Sequence, residues 1–455
     1  MLAGLRIGGN CLVPVRRYRD FRMGAADYIH FAGWFFMEKE NNNKGPRRKR
    51  NYDGMKALFP IVAHNYQRAG KAELDLVNVT SQSTFEKKII GFERLMAYQR
   101  AHPNDAIVLV SNHLSEADFL ETMIHFYNND ERLLIQGGDN LFIEDVKISN
   151  SFVDLHFNLD RYLRSKGSFQ VIRKPKQVIL NNETVTLDQK DVLALNKAYI
   201  FDLVKRGEMF LQYPGQSELN GKVKQGRPYN GYIDQFSRAM FQMLIEASIF
   251  ADKEVHIVPV NISYESILED TLFRELLPAK DNSTGDDKYL TDIGHVIGEY
   301  INPERKSKYC LKFGNPGPLQ IRQFWKRYGL GKKAAASKLA DDCYVNVMSM
   351  QTPFAPHIFF ESMKEREELE FTYLAKKIPL IMEIMVLRGA DMHFLKDGND
   401  YKTPGQIIDE TFKTFGKRRI IEKNNDSVQI LRMDVAQQYR NHISYIMKMN
   451  STEIV

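Results

Sequence analysis

Short apolar runs and longer helical rhythms alternate through the middle of the chain. Ala106 to Val110 (AIVLV) is rich in β-branched residues, has the length of a strand and is closed by polar Ser111-Asn112-His113. It predicts a buried strand. Glu116 to Tyr127 then follows helical spacing. Further apolar runs stand at Arg132 to Ile135, Phe169 to Ile172, Met209 to Tyr213, His256 to Ile262 and Tyr309 to Phe313. Helical patterns over Lys190 to Lys205 and Gln235 to Ala251 separate several of them. Alternation of this kind predicts an α/β unit, a central and mainly parallel sheet flanked by helices.

The flanks read differently. Residues 1 to about 95 are aromatic-rich and mostly helical in rhythm. Ala25 to Phe36 is apolar on much of its circumference, and Met55 to Tyr66 resumes the pattern after a basic stretch. Beyond about residue 330 the strand pattern stops. Lys332 to Met350, Phe359 to Ala375, Pro379 to Leu387, Gly405 to Thr414 and Val428 to Met449 read as helices. The expected division is a helical N-terminal region (1–95), an α/β domain (96–330) and a helical C-terminal region (331–455).

Composition sets limits on this picture. At 455 residues, 43% of them hydrophobic, the chain holds two or three structural units and is not disordered throughout. Cys11, Cys310 and Cys343 lie far apart, which excludes a disulfide scaffold, argues against a cysteine zinc site and suits a reducing compartment. The longest spanning candidate, Ile378 to Leu387, is about half the needed length and carries Glu383. A soluble chain, or one seated on a membrane surface, is expected. The first 24 residues contain no Ser or Thr, so no transit sequence is read there.

Formal charge is +6, and part of it is concentrated in Lys44 to Arg50 (KGPRRKR). That run is either a solvated loop or a contact for anionic lipid. No aromatic-rich nucleic-acid motif accompanies it, and nucleic acid is not an expected partner. P-loop, dinucleotide-binding, HExxH and EF-hand patterns are missing, so no metal or nucleotide cofactor is expected.

The candidate chemistry lies at the first strand-to-helix junction, Asn112-His113-Leu114-Ser115-Glu116-Ala117-Asp118. In open α/β sheets, sites gather at the carboxyl ends of strands. A histidine there can act as general base on a hydroxyl, and a carboxylate one turn on can hold its tautomer and stabilise the imidazolium. The spacing alone is weak, because His125 and Asp130 repeat it away from any strand end, where it reads as accidental. The competing reading of the first pair is a helix cap, with Ser115 or Asp118 at the N-terminus and His113 merely packed.

The segment NHLSEAD resembles the first motif of the glycerolipid acyltransferases, its SEAD form being most similar to the glycerol-3-phosphate branch. Later segments follow in that family's order. Gly167 to Lys174 resembles the second motif, His256 to Glu265 (HIVPVNISYE) the fourth, and Tyr309 to Pro316 the Phe-Gly-x-Pro strand after it. The likeness covers roughly residues 95 to 320. The third motif departs: where the family carries Glu-Gly and Arg, this chain has Pro214-Gly215 and Ser217. Arg173, Lys174 and Lys222 are the nearest basic residues to take the phosphate instead, with Arg227 a further candidate.

The resemblance implies transfer of a fatty acyl group from acyl-CoA or acyl carrier protein to glycerol 3-phosphate in phospholipid synthesis. His113 would be the base and Asp118 its orienting partner. Arg173, Lys174, Gly215, Ser217 and Lys222 would line the acceptor site, with no cofactor. Dihydroxyacetone phosphate and lysophosphatidate are the alternative acceptors. An anionic membrane surface is the expected partner, met through Trp34-Phe35-Phe36 and Arg47 to Arg50 at the cytoplasmic face of a cellular or organellar membrane. Two other classes remain in view: a serine hydrolase using Ser217, and a non-catalytic lipid-binding relative. The hydrolase motif requires Gly where Leu219 stands.

Overall fold

The computed structural model describes residues 52, 55–64, 85–115, 117–138, 141–142, 146–149, 154–180, 183–219, 222–225, 233–268, 270, 307–329 and 331–448. The aromatic segment 25–36, the basic stretch 44–50 and Arg227 lie outside the described residues.

The chain folds as an α/β protein with a mainly parallel central sheet. Its strands are β1 (Phe85–Ile90), β2 (Ala106–Ser111), β3 (Leu134–Gly138), β4 (Ser168–Val171), β5 (Met209–Gln212), β6 (Val255–Tyr264) and β7 (Ser307–Phe313). They lie in the order β1-β7-β6-β2-β5-β3-β4, and Leu319–Gln320 adds a short pairing to β6. β7 runs antiparallel to β6, and the remaining neighbours along that order pair in parallel.

Both faces of the sheet are covered, which is why β2 reads as one apolar run rather than as an alternation. Ala106, Val108 and Val110 face α4 (Gln189–Arg206), α5 (Arg238–Ala251), α6 (Ile321–Tyr328) and α7 (Lys332–Ser349) in one cluster. Ile107 and Leu109 face α1 (Phe92–Ala101), α2 (Ala117–Asn128) and α3 (Leu159–Ser165) in the other. The helix that follows residue 331 thus packs into the same core as the sheet. At Gly91, between β1 and α1, φ is +83° and a Cβ would stand 2.3 Å from the Phe313 carbonyl oxygen, so only glycine fits that turn.

Three sequence expectations are corrected. Phe85–Ile90 (FEKKII) is not part of a helical front but the edge strand β1. Its charged positions hid the period, and an edge strand tolerates them: Lys87 reaches Glu121 of α2 and Lys88 lies 3.9 Å from Asp391. The C-terminal region is not strand-free. Glu368–Glu370, Ser427–Ile430 and Ile421–Lys423 form an antiparallel sheet, and Lys396–Asp397 pairs with Asp400–Tyr401. These strands are two to four residues long, too short for a period of two to stand out.

The same strands interrupt two expected helices. Residues 359–375 divide between α8 (Ala355–Ser362), a strand and α9 (Phe371–Leu387), and Pro379 lies inside α9 rather than at its start. Residues 428–449 divide between a strand, α11 (Met433–His442) and α12 (Ser444–Lys448), with α10 (Pro404–Phe415) before them. These elements share a third hydrophobic cluster. They are tied to the end of β6 by polar contacts. The Tyr439 hydroxyl accepts from the Ile267 amide at 2.8 Å and donates to Asp270 at 2.6 Å. Arg418 pairs with Asp270 and donates to Ser266 Oγ, and Lys308 bridges Glu265 and Glu410. Among the described residues no helix is long and apolar enough to cross a membrane.

Candidate active site

β2 and β5 are neighbours whose outgoing helices leave to opposite faces of the sheet. α2 packs on one cluster and α5 on the other. The crevice at their carboxyl ends is therefore a topological switch point, the place where open α/β sheets bind ligands. His113 stands just beyond the end of β2 and Tyr213 just beyond the end of β5. Their rings stack with centroids 4.5 Å apart and planes 26° from parallel.

The Asp118 carboxylate holds the loop together. One oxygen, Oδ2, accepts from the Leu114 amide at 2.6 Å and the Ser115 amide at 3.1 Å, and lies 2.9 Å from His113 Nδ1. An ionised carboxylate only accepts, so Nδ1 carries the proton in this contact and Nε2 is left with the lone pair. Asp118 is fully buried, while the His113 side chain retains 14% of its exposure. Ser115 Oγ meanwhile accepts from the Ala117 amide at 3.0 Å. Ser115 thus caps the start of α2 while Asp118 contacts His113, so the two contacts come from different side chains.

The surroundings of the carboxylate are polar and buried. Glu121, one turn along α2, pairs with Lys87 at 2.7 Å. The phenols of Tyr264 and Tyr309 are fully buried beside these two acids. Burial first, and then the negative charge of Asp118 and Glu121, push both hydroxyls well above their usual range. They stay neutral and are available as donors. Asn112 makes the remaining link: its carboxamide donates to the Ile262 carbonyl at 2.7 Å and accepts from the Ile262 amide at 2.8 Å.

The other expected site residues are spread along the same carboxyl edge. Arg173 and Lys174 follow β4 and are exposed. β4 stands three strand positions from β2, about 14 Å along the sheet at the usual spacing. The backbone there does not adjoin His113, so only the long side chains can bridge the difference. Gly215 is buried and opens a strand, Gly215–Leu219, that pairs with Phe236 and with Lys222–Gln225. Ser217 lies in the middle of that strand, opposite Lys224, and Lys222 begins its partner. A hydrolase nucleophile needs the sharp strand-to-helix turn that a mid-strand residue does not have.

His125 is not a second dyad. Its ring packs edge-on against Phe92 at 4.3 Å, and burial, then the charge of Lys87, lowers its pKa to about 4. Tyr213, Asn112 and Tyr264 are the site residues that periodicity does not single out. Asn112 stands in the NHLSEAD segment and Tyr264 in the segment His256 to Glu265, whereas Tyr213 only closes an apolar run. Away from this crevice, His102, Asp105 and His256 bring ligand atoms together at the amino ends of β2 and β6.

Neither a protein-family model nor a curated protein sequence matches this chain.

Proposed function

We propose that this chain is an acyltransferase in which His113 Nε2 removes a proton from an acceptor hydroxyl while that oxygen attacks the thioester carbonyl of acyl-CoA or acyl carrier protein. Glycerol 3-phosphate is the preferred acceptor in this reading, with dihydroxyacetone phosphate and lysophosphatidate behind it. The observation that carries the reading is the His113–Asp118 contact at a switch-point crevice. One carboxylate oxygen fixes both the loop and the ring, so the base is oriented before any acceptor arrives.

As the proton moves to Nε2, the buried carboxylate stabilises the imidazolium. The tetrahedral intermediate then collapses, expelling the thiolate, which takes a proton from His113. No covalent acyl-enzyme is needed. Arg173, Lys174 and Lys222 are proposed to meet the acceptor phosphate by charge-assisted bonds, and a peripheral seat on an anionic membrane is proposed to accommodate the acyl chain that the thioester delivers. Gly215 is proposed to contribute a backbone donor near the reacting carbonyl.

The test is thiol release from palmitoyl-CoA by the purified chain with liposomes, offered each of the three acceptors, beside His113→Ala. Acceptor-dependent release abolished in His113→Ala is the expected outcome and names the acceptor. Release that survives in His113→Ala refutes the mechanism.

A further inference from the structure

The opposite, amino edge of the sheet carries a second cluster. Asp105 precedes β2, His256 is the second residue of β6, and His102 ends α1. The parallel pairing of β2 with β6, which sets Ile107 against His256, brings these three residues together across a separation of about 150 positions. One ring nitrogen from each histidine and one Asp105 oxygen all lie within 4.8 Å of one another.

We propose that His102, Asp105 and His256 form a binding site for a divalent transition-metal ion of the zinc type. His256 Nε2 stands 3.0 Å from Asp105 Oδ2, and His102 Nδ1 stands 3.6 Å from the same oxygen. The second separation exceeds a direct hydrogen bond. It is close to the distance of about 3.3–3.5 Å between two ligands of one tetrahedral ion with bonds near 2.0–2.1 Å. Two imidazoles and one carboxylate are the donor set that suits zinc and its neighbours, with the remaining position open to water because His102 and Asp105 are half-exposed.

The surroundings supply the outer support that such sites use. The nearly fully buried His256 ring is fixed from behind, its Nδ1 lying 2.9 Å from the Tyr98 hydroxyl. Gln320 Nε2 donates to that hydroxyl at 3.1 Å. The phenol oxygen can accept from Nδ1–H as well as donate to bare Nδ1. When Nδ1 holds the ring proton, the Nε2 lone pair points into the cluster. Tyr98 and His256 also meet edge-on, with centroids 5.2 Å apart, which keeps the imidazole in plane.

The six residues of β2, about 20 Å of strand, separate this cluster from His113. The ion's role is therefore to pin the end of α1 and the starts of β2 and β6 together, not to serve the acyl-transfer crevice.

Calorimetric titration of the full chain with Zn2+, and the visible spectrum on adding Co2+, test this. The expected result is one equivalent bound and a rise in unfolding temperature with Zn2+. His102→Ala and Asp105→Asn, both at half-exposed positions, should each lose the thermal shift. Tyr98→Phe should weaken affinity roughly tenfold or more. No binding by the parent chain would overturn the proposal. So would undiminished binding in both His102→Ala and Asp105→Asn when circular dichroism shows them folded as the parent.

Discussion

The carboxamide of Asn112 completes the backbone ladder between β2 and β6 where β2 itself has ended: it takes both the carbonyl and the amide of Ile262. A side chain thus acts as an extra strand residue. The main chain is free to turn away at that point and carry His113 into the crevice.

Asn112→Ala leaves two buried backbone groups of Ile262 without these partners. Each such loss costs about 1–3 kcal/mol, so urea unfolding should show a drop of several kcal/mol. On the proposed function, the variant's acyl-transfer rate should fall as well, because the His113 loop loses its anchor.

Asp118→Asn separates charge from geometry. The Leu114 and Ser115 amides and the His113 ring all meet Oδ2, and a carboxamide oxygen placed there can accept from each of them. The fold should survive while the imidazolium loses its counter-charge. On the proposed mechanism kcat should fall on the order of 10²–10⁴-fold with little change in melting temperature. An unchanged kcat would refute the role given to Asp118.

Tyr213→Leu removes the ring stacked on His113 but keeps the β5 terminus apolar. A freed imidazole samples unproductive orientations. On the proposed mechanism, the expected effect is a decrease in kcat of roughly ten- to a hundredfold with KM nearly unchanged, read from steady-state kinetics.

Acid should destabilise the fold. His64 and His442 are lowered to about 3 by burial, with Arg132 and Arg206 adding to the shift of His64. His125 is lowered to about 4, and burial and His442 lower His357. In the unfolded chain these rings titrate near 6.5, so between that pH and their folded values the unfolded state binds more protons. Stability is full above about pH 6.5 and declines as pH falls, by about 1.4 kcal/mol per pH unit for each ring left neutral. Urea midpoints measured from pH 8 to pH 4.5 should be level at first and then drop steeply.

Burial raises the thiols of both Cys310 and Cys343, and Cys343 has no exposure. Neither should react with iodoacetamide at pH 8 until the chain is unfolded. Peptide mapping of native and urea-treated samples distinguishes the two states.

Much of the central sheet was legible because strands covered on both faces read as plain apolar runs: β2, β5, β6 and β7 fall where Ala106, Met209, His256 and Tyr309 mark them. The alternation of runs with helical patterns also yielded the fold class. What escaped has physical reasons. β1 is an edge strand whose Lys87 and Lys88 serve ion pairs, so its charge resembles that of a helix surface. The short C-terminal strands bury at most two side chains each. Within the site, His113 and Asp118 are near in sequence and could be paired by eye. Tyr213 and Ile262 reach the same place only through strand order, which spacing along one chain does not encode. The antiparallel insertion of β7 beside β6 is hidden for the same reason.

The latch from Tyr439 to Asp270 carries a consequence for biosynthesis. The phenol that closes the end of β6 is translated 169 residues after the aspartate it grips. Domains assemble from the N-terminus as they emerge, at about 5–20 residues per second. For the order of ten seconds or more, the nascent sheet therefore stands on the ribosome with Asp270 and the Ile267 amide unsealed. A chaperone that shields this edge would act during that interval, and a premature stop codon upstream of residue 418 would remove both Arg418 and Tyr439 from this end of β6.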